Sequence, residues 1–226
     1  MTLRRSLSLL AALCSLLASQ ASQAVLLTPG VSTPLPGTTV AAEPQLAGGI
    51  IEDKLLGFSM TTGKGLVTGQ VQSRVVRSSV DGTLDFYWRV LNDANSLDDV
   101  AFFRIGLFNA PEYNANFRID GLGDRAPVSA FRFTGSLQSF VNFDFTTVGP
   151  TGAPSGLHPG ESSNFMLMDT SATGYAEAAT MDVADFGTVH DSQSLPAFTP
   201  SAVPEAQTYA LMGLGLLLVG YRLRKR

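Results

Sequence analysis

The middle of the chain alternates between apolar and polar residues with a period of two. Residues 67–75 place valine, glycine and serine on one side of the alternation and Thr, Gln and Arg on the other. Residues 84–90 do the same, with Trp88 on the apolar side and Asp85 and Tyr87 on the polar side. A period of two is typical of a strand with one buried face, and Asp81-Gly82 between the two segments is typical of a tight turn. We therefore predict a β-hairpin with Trp88 in the core.

Several other short segments have strand character. Gly, Pro, Asn and Asp clusters separate them, and no segment sustains a helical period. Residues 177–185 are compatible with a short helix, but the β-branched Thr180 and Val183 disfavour it. Seven or more short strands with turns between them predict an all-β chain, a single jelly-roll-like β-sandwich domain over residues 48–188. The further strands are predicted at 101–108, 141–146, 165–167 and 175–183.

The segments that flank this domain are rich in proline and glycine. Residues 25–47 are predicted to form an extended leader with at most one edge strand. Residues 189–202 contain Pro196 and Pro200 and are predicted to form a linker.

The first 24 residues have the three parts of a secretory signal peptide. Arg4 and Arg5 precede a short apolar stretch, which is followed by small residues. Ser22 and Ala24 would occupy the −3 and −1 positions of a cleavage site before Val25, and cleavage after Ala21 is the second choice. The Sec translocon and signal peptidase are the partners that such a segment implies.

The last 24 residues, 203–226, combine a short motif, an apolar segment and a basic end. Val203-Pro204-Glu205 precedes the apolar segment, in which residues 209–221 contain three glycines. Thirteen helical residues reach about 20 Å, less than a membrane core of about 30 Å, so the segment suits a transient anchor. The terminal basic cluster would stay cytoplasmic and leave the body outside. It consists of Arg222, Arg224, Lys225 and Arg226.

This arrangement resembles the PEP-CTERM sorting signal, with Ala206 where the family usually has a second proline. The resemblance implies a Gram-negative producer whose exosortase removes the tail near Pro204 and Glu205. It further implies an inner-membrane intermediate, then a cell-surface or extracellular-matrix protein associated with exopolysaccharide or biofilm.

Charge and cysteine content exclude some functions of the body. Between the two terminal segments there are nine Lys and Arg against 18 Asp and Glu, a formal charge of −9. Such a surface repels phosphate backbones, so we expect no nucleic-acid binding. The single cysteine, Cys14, lies in the signal peptide, so cysteine catalysis and disulfides are not expected in the mature body.

The candidate catalytic groups lack an informative spacing. His158 and His190 are interpreted as exposed loop histidines without a nucleophile partner. A pair of carboxylates could form a glycosidase, and Asp85 and Asp144 lie on polar strand faces where such a pair could be placed. The acidic candidates are Asp85, Asp98, Asp99, Glu112, Asp120, Asp124 and Asp144.

Calcium is the cofactor to consider. Asp93, Asn95, Asp98 and Asp99 bring oxygen ligands into one loop, although the EF-hand spacing is absent and turn formation explains the same residues. Tyr87, Tyr113 and Tyr175 are the aromatics placed to contact a glycan. The sequence therefore favours a non-enzymatic, structural or adhesive exported protein without a cofactor. A two-carboxylate glycosidase and a calcium-dependent glycan-binding module are the alternatives.

Overall fold

Almost all regular structure in the described chain is β-strand. The computed structural model describes residues 23–110, 112–137, 139–150, 152–186 and 190–201. Two 3-10 helices, Pro44–Leu46 and Gly135–Leu137, are the only helical elements in these ranges. The strands are β1 (Val25–Leu26), β2 (Ser32–Pro34), β3 (Gly48–Thr62), β4 (Gly65–Ser78), β5 (Leu84–Asn92), β6 (Phe102–Gly106), β7 (Asn114–Phe117), β8 (Ser129–Arg132), β9 (Val141–Asp144), β10 (Thr147–Val148), β11 (Pro154–Ser155), β12 (Met166–Asp169), β13 (Gly174–Ala184) and β14 (Leu195–Ser201).

The strands form two six-stranded sheets and one small hairpin. Sheet 1 has the order β1-β7-β12-β5-β4-β3, sheet 2 has the order β14-β13-β6-β9-β8-β2, and β10 pairs with β11. Neighbouring strands are antiparallel throughout both sheets. The chain is therefore all-β, as the alternating pattern predicts.

Aromatic residues from both sheets meet in one core. Trp88 of sheet 1 is fully buried, and its ring lies 6.0 Å from that of Phe103 of sheet 2. Phe103 in turn lies 6.2 Å from Phe143, and Phe86 packs edge-on against Phe108 at 5.3 Å. Burial of such large rings is the main stabilising contribution in a domain of this size. The predicted position of Trp88 in a sandwich core is confirmed.

The predicted hairpin is formed by β4 and β5. Its turn is made as the sequence suggests: the Asp81 carboxylate accepts a hydrogen bond from the Thr83 backbone N–H at 3.0 Å, and Gly82 has a φ of +77°. Gly69 is required by close packing, because a Cβ there would lie 2.2 Å from the Leu91 carbonyl oxygen and 2.6 Å from the Phe58 ring. The predicted turn and inward face of this hairpin are both correct.

The predicted leader, residues 25–47, is an integral part of the sandwich. β1 and β2 are edge strands of sheets 1 and 2, respectively. Residues 37–47, which we call the strap, cross the outer face of sheet 1, the face turned away from sheet 2. Leu46 of the strap packs there in a second apolar cluster, and the strap backbone at Gly37 donates a hydrogen bond to Asn116 at 2.9 Å. The leader prediction is corrected because buried contacts, which proline content does not reveal, hold this segment on the sheet.

The predicted linker, residues 189–202, is also corrected. Leu195–Ser201 forms β14, which pairs with β13 and buries Phe198. Pro196 and Pro200 are accommodated because β14 is an edge strand, where one row of N–H groups is not needed for pairing. β13 is a strand over the segment for which a short helix was the alternative. Within the described ranges, no helix has the length and apolar character needed to cross a membrane.

Candidate functional site

The outer face of sheet 1 carries charged residues in rows across adjacent strands. One row joins Asp85 of β5, Asp169 of β12 and Asn114 of β7, which are direct partners in the sheet. The next row joins Arg74, Tyr87 and Leu167. Direct partners in an antiparallel sheet point to the same face, so an acidic row and an arginine-containing row lie side by side beneath the strap.

Asp85 and Asp169 form a buried acid pair. Asp85 is only 1% exposed, and no N–H or hydroxyl group of the described residues donates to its carboxylate oxygens, which leaves the Asp169 carboxyl as its hydrogen-bonding neighbour. Burial, with the neighbouring Asp169 charge second, raises the pKa of Asp85 from 3.8 to about 9. Burial also raises the pKa of Asp169. The pair is therefore expected to hold one proton between its two carboxyl groups at neutral pH.

The strap adds a third carboxyl group to this region. Glu43 is 1% exposed, and burial raises its pKa; Thr38 opposes the rise, and the charge of Asp169 adds to it by a smaller amount. The alternating pattern of residues 84–90 places Asp85 on a polar strand face, where a side chain is ordinarily exposed. The structure buries it because the strap covers that face.

A groove of about 470 Å³ lies next to the acid pair. Asp81, Glu112, Asn114 and Asp169 contribute to its lining, but Asp85 does not. A glycosidase needs two carboxyl groups that flank the scissile bond and reach the substrate. Asp85 and Asp169 instead face each other, and only Asp169 reaches the groove.

The other acidic candidates are dispersed. Several of these carboxylates accept hydrogen bonds, each in a different part of the fold. Asp98 binds Lys64 and Thr62, Asp120 binds Arg118 and the Val40 N–H, Asp124 binds Ser162, and Asp144 binds the Thr146 N–H. Glu112 is exposed at the groove beside Asp169.

A second cavity on the same face, which we call the arginine pocket, has a volume of about 280 Å³. The Arg74 guanidinium lies 4.8 Å from the centre of the Phe165 ring, and that of Arg89 lies 5.8 Å from the same ring. The backbone N–H of Arg118 donates to the Phe165 carbonyl, which brings a third arginine to this aromatic residue. The lining of the arginine pocket includes Val40, Ile50, Arg74, Val76, Arg118 and Phe165.

Ion pairs at the edge of the arginine pocket fix two of these side chains. Arg74 pairs with Asp53 at 2.8 Å, and Arg118 pairs with Asp120. Burial is the largest influence on Arg118 and lowers the pKa of its guanidinium, but the hydrogen bonds and charges of Asp120 and Tyr87 together outweigh burial and raise that pKa. Burial, and then the charge of Asp85, raise the pKa of the Tyr87 hydroxyl, which donates a hydrogen bond to the Leu46 carbonyl. Arg118 is therefore cationic, and Tyr87 neutral, at physiological pH.

His158 has partners that the sequence does not reveal. Its Nε2 lies 3.1 Å from the Ser155 hydroxyl, and its Nδ1 lies 2.8 Å from the Asp99 carboxylate. The arrangement Ser155–His158–Asp99 has the same order as the nucleophile, base and orienting carboxylate of a catalytic triad. However, the Gly156 N–H, the backbone donor next to Ser155, already binds Asp99 at 3.0 Å. An oxyanion at Ser155 would lack the adjacent backbone donor that such sites use. His190 similarly pairs with Asp185 at 2.7 Å.

The calcium candidates are brought into one loop but engage separate protein donors. Asp93 accepts from Thr68, Asp98 from Lys64 and Asp99 from Gly156. Among the described residues, no group of three or more His, Cys, Asp or Glu side chains is arranged to hold a metal ion. The structure therefore adds no support to the calcium hypothesis.

The three tyrosines proposed as glycan contacts are not exposed platforms. Tyr87 and Tyr113 are each 3% exposed, and the Tyr113 hydroxyl donates to the Phe108 carbonyl. Tyr175 is half-buried and donates to Glu52 at 2.7 Å. Of the processing candidates, Ala24 and Val25 are described, whereas Ser22 and the entire sorting segment 203–226 lie outside the described residues.

Comparison of the chain with protein-family models, with curated proteins and with solved structures finds no match in any of the three.

Proposed function

We propose that the chain is an exported cell-surface or extracellular-matrix protein that exosortase processes, with a structural or adhesive body associated with exopolysaccharide. The observation that carries the proposal is the Val203-Pro204-Glu205 motif followed by a glycine-rich apolar segment and a basic end. A signal-like segment at the opposite end supports the same route.

The extent of the sandwich is consistent with processing at both ends. β1 begins at Val25, immediately after the proposed signal cleavage site, and β14 ends at Ser201, just before the sorting motif. Both cuts would therefore leave the described strands complete. The chain passes back and forth between the two antiparallel sheets, which supports the jelly-roll-like interpretation. It crosses from β1 to β2, β2 to β3, β5 to β6, β6 to β7, β7 to β8 and β12 to β13.

The intact mass of the protein recovered from its host tests this proposal. We expect a species that lacks residues 1–24 and everything after about Pro204, and a species that retains the tail when the exosortase gene is deleted. A Pro204→Ala, Glu205→Ala double variant should also retain the tail. A matched double variant in the preceding strand, Thr199→Ser, Ser201→Ala, should be processed normally. Retention of the tail in the unmodified host would contradict the sorting proposal and indicate a tail-anchored protein.

A two-carboxylate enzyme remains the alternative, because strongly raised pKa values often mark functional sites. The pair of Asp85 and Asp169 is the observation that favours it. Hydrolysis of a glycan by the purified protein, abolished in Asp169→Asn and retained in Glu112→Gln, would establish this alternative and displace the non-enzymatic proposal.

A further inference from the structure

We propose that the arginine pocket binds one uronic acid unit of an acidic polysaccharide through its carboxylate. The inference deepens the proposed function and rests on it for the source of the sugar. The ligand class, a carboxylate attached to a small ring, is inferred from the geometry of the pocket alone.

The cationic groups of the pocket are held in place before any ligand arrives. Arg74 is fixed from one side by Asp53 at 2.8 Å and from another by the Phe165 ring at 4.8 Å. Its side chain is 23% exposed and that of Arg118 is 18% exposed. Ordering these side chains on binding therefore costs little entropy, and both remain reachable from solvent.

These arginines retain donors for a ligand. A guanidinium carries five N–H donors in a planar fork that matches a carboxylate. The described hydrogen bond of Arg74 uses one Nη group, with Asp53 as the acceptor. Arg118 uses Nε toward Asp120 and also hydrogen-bonds with the Tyr87 hydroxyl. The remaining Nη donors can form charge-assisted hydrogen bonds with a ligand carboxylate.

The rest of the pocket lining is mostly apolar, with aliphatic side chains beside Tyr87 and Phe165. Val40, Ile50 and Val76 line it, and Ile50 is 54% exposed. Apolar C–H groups of a pyranose ring can pack on such a wall while the carboxylate binds the arginines. The volume of about 280 Å³ lies just below the usual range for ligand pockets, which favours a single ring.

The negative charge of the whole body limits the affinity of the arginine pocket for an anionic sugar. The pocket is a locally positive site on this negative surface. The body carries a formal charge of −9, which repels a polyanion at long range. At physiological ionic strength the screening length is about 8 Å, so the nearby arginines dominate inside the pocket. Asp53 and Asp120 offset part of their charge. Binding of one acidic sugar unit should therefore be weak and salt-sensitive.

Titration of the processed protein with glucuronate, monitored by calorimetry or NMR, tests the proposal. The methyl ester of glucuronate is the matched ligand control, because it keeps the ring and removes the charge. Arg74→Gln and Arg118→Gln remove one fork each, Arg74→Lys keeps the charge without the fork, and Lys54→Gln removes a positive charge outside the pocket. The melting temperature of each variant is measured first. If Arg74→Gln is destabilised, Arg74→Lys is used for the comparison.

We expect glucuronate to bind at least about tenfold more tightly than its methyl ester. Each Arg→Gln variant should lose about tenfold in affinity, whereas Lys54→Gln should change it by less than about twofold. Undetectable binding, equal binding of the ester, or unchanged affinity in folded Arg74 and Arg118 variants would overturn the proposal. Equal competition by acetate or by an aspartate-containing peptide would overturn it in favour of a general anion or acidic-peptide site. The mass experiment is independent, so tail removal without sugar binding would refute this inference and leave the proposed function standing.

Discussion

The buried acid pair predicts that replacing Asp85 by asparagine stabilises the protein, and increasingly so as the pH rises. Asparagine has nearly the same shape, cannot ionise and can donate a hydrogen bond to the Asp169 carboxylate. Among the described residues Asp85 has no N–H or hydroxyl donor, so the only contact that the substitution replaces is the shared-proton contact with Asp169. Its main effect should be to remove the cost of ionising a buried group.

The sign follows from the direction of the pKa shift. Folding raises the pKa of Asp85 from 3.8 to about 9, so the folded state binds a proton that the unfolded state releases between these values. The protonated carboxyl therefore favours the folded state fully only below about pH 4, and that advantage is lost as the pH rises towards 9. At pH 7, which is about three units above the unfolded-state pKa, the loss in the free energy of unfolding is at most about 4 kcal/mol. At pH 5 it is at most about 2 kcal/mol.

Urea unfolding monitored by tryptophan fluorescence measures this effect, because Trp88 is the single tryptophan and is fully buried. We expect Asp85→Asn to match the unmodified protein near pH 4 and to exceed it by about 2–4 kcal/mol near pH 8. Glu112→Gln removes one negative charge at an exposed position and is the control for net charge. A stability difference that does not grow between pH 4 and pH 8, or a less stable Asp85→Asn at pH 8, would refute the reasoning.

Three further predictions address packing, metal and catalysis. Gly69→Ala should lower the free energy of unfolding by about 1–3 kcal/mol, because its Cβ would clash with the Leu91 carbonyl and the Phe58 ring; unchanged urea unfolding would show that the hairpin shifts without cost. Adding calcium or a chelator should leave the melting temperature unchanged, because the loop carboxylates at 93, 98 and 99 already accept protein hydrogen bonds; a rise with calcium would restore the calcium-module alternative. A fluorophosphonate probe should not label Ser155, because the adjacent Gly156 N–H is occupied by Asp99; labelling that is lost in Ser155→Ala would show a reactive serine and contradict the non-enzymatic proposal.

Local patterns were sufficient to predict the central strands. The alternation in residues 84–90 placed Trp88 inside the sandwich, and Asp81-Gly82 predicted the turn that joins β4 to β5. These features depend on residues that are close in sequence, where side-chain period and turn chemistry act directly. The β-branched residues in β13 likewise favoured the strand that is observed over the short helix.

Features that depend on distant contacts were not predictable in this way. Asp85 has the local pattern of a surface residue, but the strap, some 40 residues earlier, buries it. The Asp99–His158 contact joins residues 59 positions apart, with no spacing signal between them. The prolines of β14 are typical of a linker, and only the sheet order shows that this segment occupies an edge.

The position of the strap has a consequence for the order of folding. Its Gly37 N–H bonds Asn116, 79 residues further along the chain, and β1 pairs with β7 over a similar separation. The first residues of the body therefore cannot take their final places until more than half of the domain has followed them. Closing so long a loop is entropically costly, and folds dominated by such contacts form in milliseconds to seconds. A chain that threads through a translocon from its N-terminus would thus remain unfolded during passage, with the outer face of sheet 1 among the last regions to close.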